Sequence, residues 1–168
     1  MRRAMQLGMA TVAASAALAG GVAFATGQGS GPPAGKGSHH ERFTLIGVVK
    51  DRVAVNAGDS AVGPGDYSVF RYDLFAEGKK QVKVGNAFAI CFAQFPPAAF
   101  QCDIVAKLDG RGQITLTGVT GAEISEDFTF AVTGGTDDFR NARGEVNLEL
   151  VSPEPFVQRA TYDLIGVR

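Results

Sequence analysis

The chain has 168 residues, 45% of them hydrophobic and 20% charged, with 16 basic side chains against 17 acidic ones. That length suits one domain of ordinary size. The near balance of charge gives no sign of a strongly acidic or basic partner and argues against nucleic-acid binding.

Residues 1–25 form a separate object. "MRRAMQLGM" carries Arg2 and Arg3 and no acid, and "ATVAASAALAGGVAFA" follows, apolar and built of small residues. It ends in Ala23-Phe24-Ala25, an A-x-A cleavage pattern, so a secretory signal peptide is expected. The apolar stretch of about 16 residues is shorter than the roughly 20 that a spanning helix needs, and no membrane anchor is expected. No Cys lies near the cleavage site, and the rest of a twin-arginine pattern is absent. Removing this segment lowers the 16 basic side chains to 14 against 17 acidic, a net charge of −3. Residues 26–41, "TGQGSGPPAGKGSHHE", are rich in Gly, Ser and Pro and read as a flexible linker. His39 and His40 are the chain's two histidines. Two neighbouring imidazoles without further converging ligands make a poor metal site, and none is expected.

From residue 42 onward the pattern is strand after strand. The predicted strands are 42–50, 67–76, 84–93, 101–108, 113–120, 127–133, 144–151 and 159–167. Each is a short alternating or β-branched and aromatic run bounded by Gly, Pro, Asn or Asp, and no window sustains a helical period. Short connections such as "DGRG" (109–112) and "SPEPF" (152–156) join them. Such a series predicts an all-β domain over 42–168, an eight-stranded antiparallel barrel in which closure removes the exposed edges.

The cysteines test that register. A hairpin centred between Pro96 and Pro97 places Cys91 directly opposite Cys102. Export to an oxidising compartment then favours a Cys91–Cys102 disulfide. Cys102, Ile104, Ala106 and Leu108 share one face with Ala87, Ala89, Cys91 and Ala93 of the partner strand, while Phe88, Ile90 and Phe92 lie on the other. Both sides of that strand are apolar, so one packs inside and the other calls for cover, as from a neighbouring subunit. On 144–151, Val146, Leu148 and Leu150 alternate with Glu145, Asn147 and Glu149, which gives one wet face.

The stretch "GGTDDFRNARG" (134–144) lies between two predicted strands. A phosphate-binding glycine loop needs a helix N-terminus behind it, and none follows here. It reads as a β–β connection in which Gly134 and Gly135 ease a sharp exit and Phe139 tucks inward to close the barrel end. "AVTGGTDDFRNARGEV" resembles the signature of dirigent proteins and allene oxide cyclase barrels, through Gly134, Gly135, Thr136, Phe139, Ala142, Arg143 and Gly144. "GDYSVFRYDLF" (65–75) is similar to that family's early strand, and the cysteine hairpin is similar to secreted bacterial members.

The resemblance implies a barrel with an internal pocket, often trimeric. It steers cyclisation or coupling of a hydrophobic small molecule with neither metal nor organic cofactor. Catalysis there is by proximity and orientation, with acid–base help where a carboxyl is buried. The candidate catalytic residues are Asp73, at the family's acidic position, with Asp138 and Arg143 in the signature. Candidate ligand-binding residues are Arg71, Tyr72, Phe128, Phe130 and Phe139. Arg71 and Asp73 share a face and form either an internal polar spot or a surface ion pair. Arg143 serves either the substrate or the loop carbonyls. Two functions stay open: a secreted, cofactor-free cyclase or dirigent-type isomerase, or a non-catalytic extracellular barrel that binds a ligand or partner. A homo-oligomer, trimer or dimer, is expected in either case. A hydrolase built on histidine is excluded, since both histidines lie in the linker.

Overall fold

The computed structural model describes residues 39–58, 62–78, 82–95, 99–121 and 127–168. The expected signal peptide and the linker up to residue 38 lie outside them. Eight strands follow in chain order: β1 His39–Val55, β2 Tyr67–Ala76, β3 Lys83–Phe95, β4 Ala99–Leu108, β5 Gly112–Thr120, β6 Phe128–Gly135, β7 Arg143–Pro153 and β8 Phe156–Val167. Each pairs antiparallel with the next, and β1 pairs with β8, so the sheet is a closed barrel. No helix among the described residues is long and apolar enough to cross a membrane.

Period-two alternation decides what lies inside. Leu45, Leu74, Ala87, Ala89, Ala106, Leu108, Ile114, Leu116, Phe130, Val132, Val146, Leu148, Ala160, Tyr162 and Leu164 form a buried interior. Full burial of a side chain the size of Leu or Phe contributes roughly 1.5–3 kcal/mol. The interior is uneven in volume. β3 and β4 turn Ala87, Ala89, Ala93 and Ala106 inward, and these small side chains leave space that the rings of β6 and β8 only partly fill.

The cysteine register holds. Cys91 faces Cys102 across the β3–β4 pair, and the two form a disulfide on the inner face. The linker boundary needs correction at its end: His39–Glu41 belong to β1. They pair with β8 at the far end of the chain, with His39 opposite Val167 and Glu41 opposite Leu164. His40 Nε2 lies 2.6 Å from Asp163 Oδ1, so it sits in the sheet and not in a solvated tail. A partner more than 120 residues away supplied this order, which no local pattern announces.

The two barrel ends differ. At the end where His39 meets Val167, "GGTDDFRNARG" contains one 3₁₀ turn, Asp137–Phe139, that drives Phe139 to complete burial. Gly135 is required there, because an added Cβ would lie 2.7 Å from Phe139 Cβ. Thr136 docks the loop on β5: its N–H donates to Gln113 O (2.9 Å), and its Oγ1 accepts from Gln113 N–H (3.0 Å). Phe43 stacks on Tyr162 at 4.7 Å beneath this plug. Arg111, from the β4–β5 turn, covers it from above. The guanidinium lies 4.7 Å from the Phe139 ring centre and forks onto both Glu41 oxygens at 2.8 Å, while Nε reaches Asp138 at 3.2 Å. This end is sealed.

On the outer surface, β2 and β3 present an apolar patch. Phe88 is 52% exposed and Phe92 39%, with Val69 opposite Ile90 and Tyr67 opposite Phe92 between the strands.

Candidate functional site

The opposite end is open. A cavity of about 460 Å³ runs down from it between Val49, Tyr72, Ala89, the Cys91–Cys102 pair, Ile104, Phe128, Phe130 and Leu148. A neighbouring lobe of about 350 Å³ extends under the β1–β2 connection and shares Arg52, Phe70 and Cys91 with it. Both volumes fall in the range of small-molecule sites. Gly118 helps shape the wall: an added Cβ would lie 2.8 Å from Phe130 Cγ, so only glycine lets that ring lie flat against β5.

Arg52 enters this site through an irregularity in β1. Phe43, Leu45, Gly47 and Val49 face inward, and unbroken alternation would aim Asp51 inward and Arg52 out. Between Val49 and Asp51 the register with β2 slips by one residue, so Arg52 stands opposite the inward Phe70. One extra residue in one strand of a pair reverses the facing of all that follows. The Arg52 guanidinium then lies 5.3 Å from the Phe70 ring centre. Exposed at the mouth, it is the cation that lines both lobes among the described residues.

Tyr72, also inward, is 9% exposed and stands beside Phe70. Burial pushes its phenol up to about 12, and the charge of Arg52 pulls in the opposite direction. It is therefore a neutral hydrogen-bond donor at any physiological pH. Glu154 and Gln158 line the main cavity from the β7–β8 turn and the start of β8. Asp66 borders the second lobe, but its oxygens are engaged. Oδ1 accepts from Ala57 N–H (2.7 Å) and Oδ2 from Gly63 N–H (2.9 Å), which lowers its pKa and fixes the connection above the mouth.

The predicted site residues divide sharply. Tyr72, Phe128 and Phe130 line the cavity. Arg71 and Asp73 do not: Tyr72 and Leu74 are the inward neighbours, so alternation turns Arg71 and Asp73 out. Arg71 pairs with Asp51 on the outer surface. Asp73 accepts from Lys83 Nζ (2.7 Å) and Asn86 Nδ2 (2.9 Å), and the lysine hydrogen bond holds its carboxyl below the usual range. Both lie on the outer surface, but each pairs with another residue, so neither the internal polar spot nor an Arg71–Asp73 surface pair is formed. Asp138 and Phe139 belong to the sealed end, and Arg143 donates from Nη1 to the loop carbonyl of Ala142 (2.6 Å). No candidate catalytic residue lines the cavity. Sequence reading missed Arg52, Glu154 and Gln158. Among the described residues, no three His, Cys, Asp or Glu side chains cluster to hold a metal.

No protein-family model and no curated sequence matches the chain. Solved structures do. A pyocyanin demethylase is 25% identical with a TM-score of 0.61, over 73% of this chain and 100% of its own. A pterocarpan synthase dirigent protein is 17% identical with a TM-score of 0.60, over 78% of this chain and 91% of its own. A Diels–Alderase from Streptomyces koyangensis is 15% identical with a TM-score of 0.64, over 80% of this chain and 71% of its own. The barrel is that of dirigent proteins and the cyclase barrels related to them in fold.

Proposed function

We propose that this barrel binds an apolar small molecule through its open end and directs its cyclisation or stereoselective coupling. The observation that carries the reading is a cavity of about 460 Å³ with apolar walls, sealed at one end and open at the other. Within it, Tyr72 and Arg52 supply directed polarity. The structural neighbours named for dirigent and Diels–Alderase activities support the choice of reaction class.

The chain's own residues suit such work. Walls of Phe, Leu and Ile exclude water and hold a flexible molecule in a folded shape, which removes much of the entropic barrier to ring closure. Tyr72 donates a hydrogen bond to an oxygen that gains negative charge as the bond forms. Among the described residues, the carboxylate that lines the main cavity is Glu154, from the turn at its mouth. The proposed mechanism is therefore confinement and hydrogen bonding, with no buried carboxyl as acid.

Binding is tested with N-phenyl-1-naphthylamine, a neutral probe that fluoresces in apolar surroundings. Saturable binding at one probe per chain is expected, with affinity reduced at least about tenfold in Ala89→Phe, whose ring would occupy the cavity. Equal binding by that variant would refute the site. Direction of reaction is tested with an achiral triene that cyclises slowly by itself. An enantiomeric excess supports catalysis, and racemic product at the background rate reduces the function to binding, the non-catalytic alternative.

We propose also that the protein is exported. Its amino-terminal pattern supports this, and mass spectrometry of secreted chain should find it beginning at Thr26; an intact Met1 in the medium or retention in the cell would contradict it.

A further inference from the structure

We infer that the molecule taken by this cavity carries one anionic oxygen group, a carboxylate or phenolate, held by Arg52 at the mouth while its apolar body occupies the interior. The inference rests on the binding reading above and narrows it to a substrate class.

The first observation is placement. The strand irregularity after Val49 turns Arg52 to the inner side of the sheet at the open mouth, where it is exposed and lines both lobes. Had alternation run unbroken past Val49, β1 would present Asp51 there and the mouth would repel anions. The second is orientation. Packing over Phe70 at 5.3 Å restrains the guanidinium against an aromatic surface, and a planar, restrained fork suits two-point binding of a carboxylate.

The third observation concerns the acids that line the two lobes among the described residues. Asp66 spends both oxygens on the backbone N–H groups of Ala57 and Gly63. Glu154 belongs to the turn between β7 and β8, and Arg52 to β1; the two form no salt bridge. Apart from Tyr72, Thr120, Glu154 and Gln158, the side chains that line the main cavity beyond Arg52 are apolar or belong to the disulfide, a poor medium for charge. Tyr72 lines the same main cavity as Arg52 and offers a bound anion a second donor.

The test uses 2-naphthoate and 2-naphthamide, which share a ring system and differ by one charge, titrated calorimetrically into the full chain. The expected result is at least about tenfold tighter binding of naphthoate, the scale of one charge-assisted hydrogen-bonded pair. Arg52→Gln should abolish the preference, weakening naphthoate far more than naphthamide. Arg52→Lys, which keeps the charge without the planar fork, should retain part of it. Raising salt should narrow the gap in the wild-type protein. Equal affinities in the wild type, or a preference that survives Arg52→Gln, would overturn the inference while leaving the cavity reading intact. Failure of both ligands to bind would overturn both.

Discussion

Tyr72 offers the sharpest measurement of how dry the cavity wall is. Its phenol is pushed from 10.0 to about 12, chiefly by burial. Above pH 10 the unfolded chain releases this proton while the folded chain retains it. The unfolded state then binds fewer protons, so stability falls as pH rises, at about 1.4 kcal/mol per pH unit. The contribution is fully present below pH 10 and lost by about pH 12, a total of roughly 3 kcal/mol. Tyr162 is fully enclosed, and its phenol too is raised by burial. It adds a like term to wild-type and mutant proteins alike, so the difference between wild type and Tyr72→Phe isolates one residue. Urea midpoints at pH 8 and pH 11 should show a smaller alkaline loss for Tyr72→Phe. Absorbance at 295 nm should lose one late-titrating phenol. In Arg52→Gln the Tyr72 titration should move further upward, because the opposing cation is gone. Identical pH dependence in the wild type and Tyr72→Phe would refute the account of a desolvated phenol beside Arg52.

Two further outcomes are expected. Phe139→Ala leaves a void under Arg111 and costs about 3–5 kcal/mol of unfolding free energy; a loss below about 1 kcal/mol by urea denaturation would show that the loop does not seal the barrel. The exposed Phe88 and Phe92 are proposed to seat a second copy of the chain, which accounts for an apolar patch on a closed barrel. Sedimentation should then find an oligomer that Phe88→Glu dissociates, and a wild-type monomer at micromolar concentration would remove that role.

Much of the fold was legible because strands announce themselves by period-two patterning and turn residues. A hairpin read from Pro96–Pro97, which lie outside the described residues, led to the β3–β4 register that sets Cys91 against Cys102. The flanking strands also identified "GGTDDFRNARG" as a connection that closes one end, with Phe139 inside. The site was less legible. On β2, Val69, Arg71, Asp73 and Phe75 alternate with Phe70, Tyr72 and Leu74, and both sets contain aromatic and aliphatic groups. Pattern alone does not say which set faces inward. The family-like acidic position suggested Asp73, but the closed sheet buries its neighbours and turns it out toward Lys83. The signature drew Asp138 and Arg143 into the candidate list, although its work in this chain is to seal the end away from the cavity.

What the amino-acid order determined by itself is therefore local: eight strands, their turns, one disulfide register and the alternation within each element. Those features depend on neighbours in the chain, on two-residue periodicity and on turn chemistry. Three others needed the closed barrel: strand order at His39–Glu41, which comes from pairing with β8, the open end, which is the one the signature loop does not plug, and the inward turn of Arg52. The physical reason is most compact at that last residue. A single unpaired position after Val49 reverses every side chain beyond it, and such a slip is visible only in how β1 meets β2.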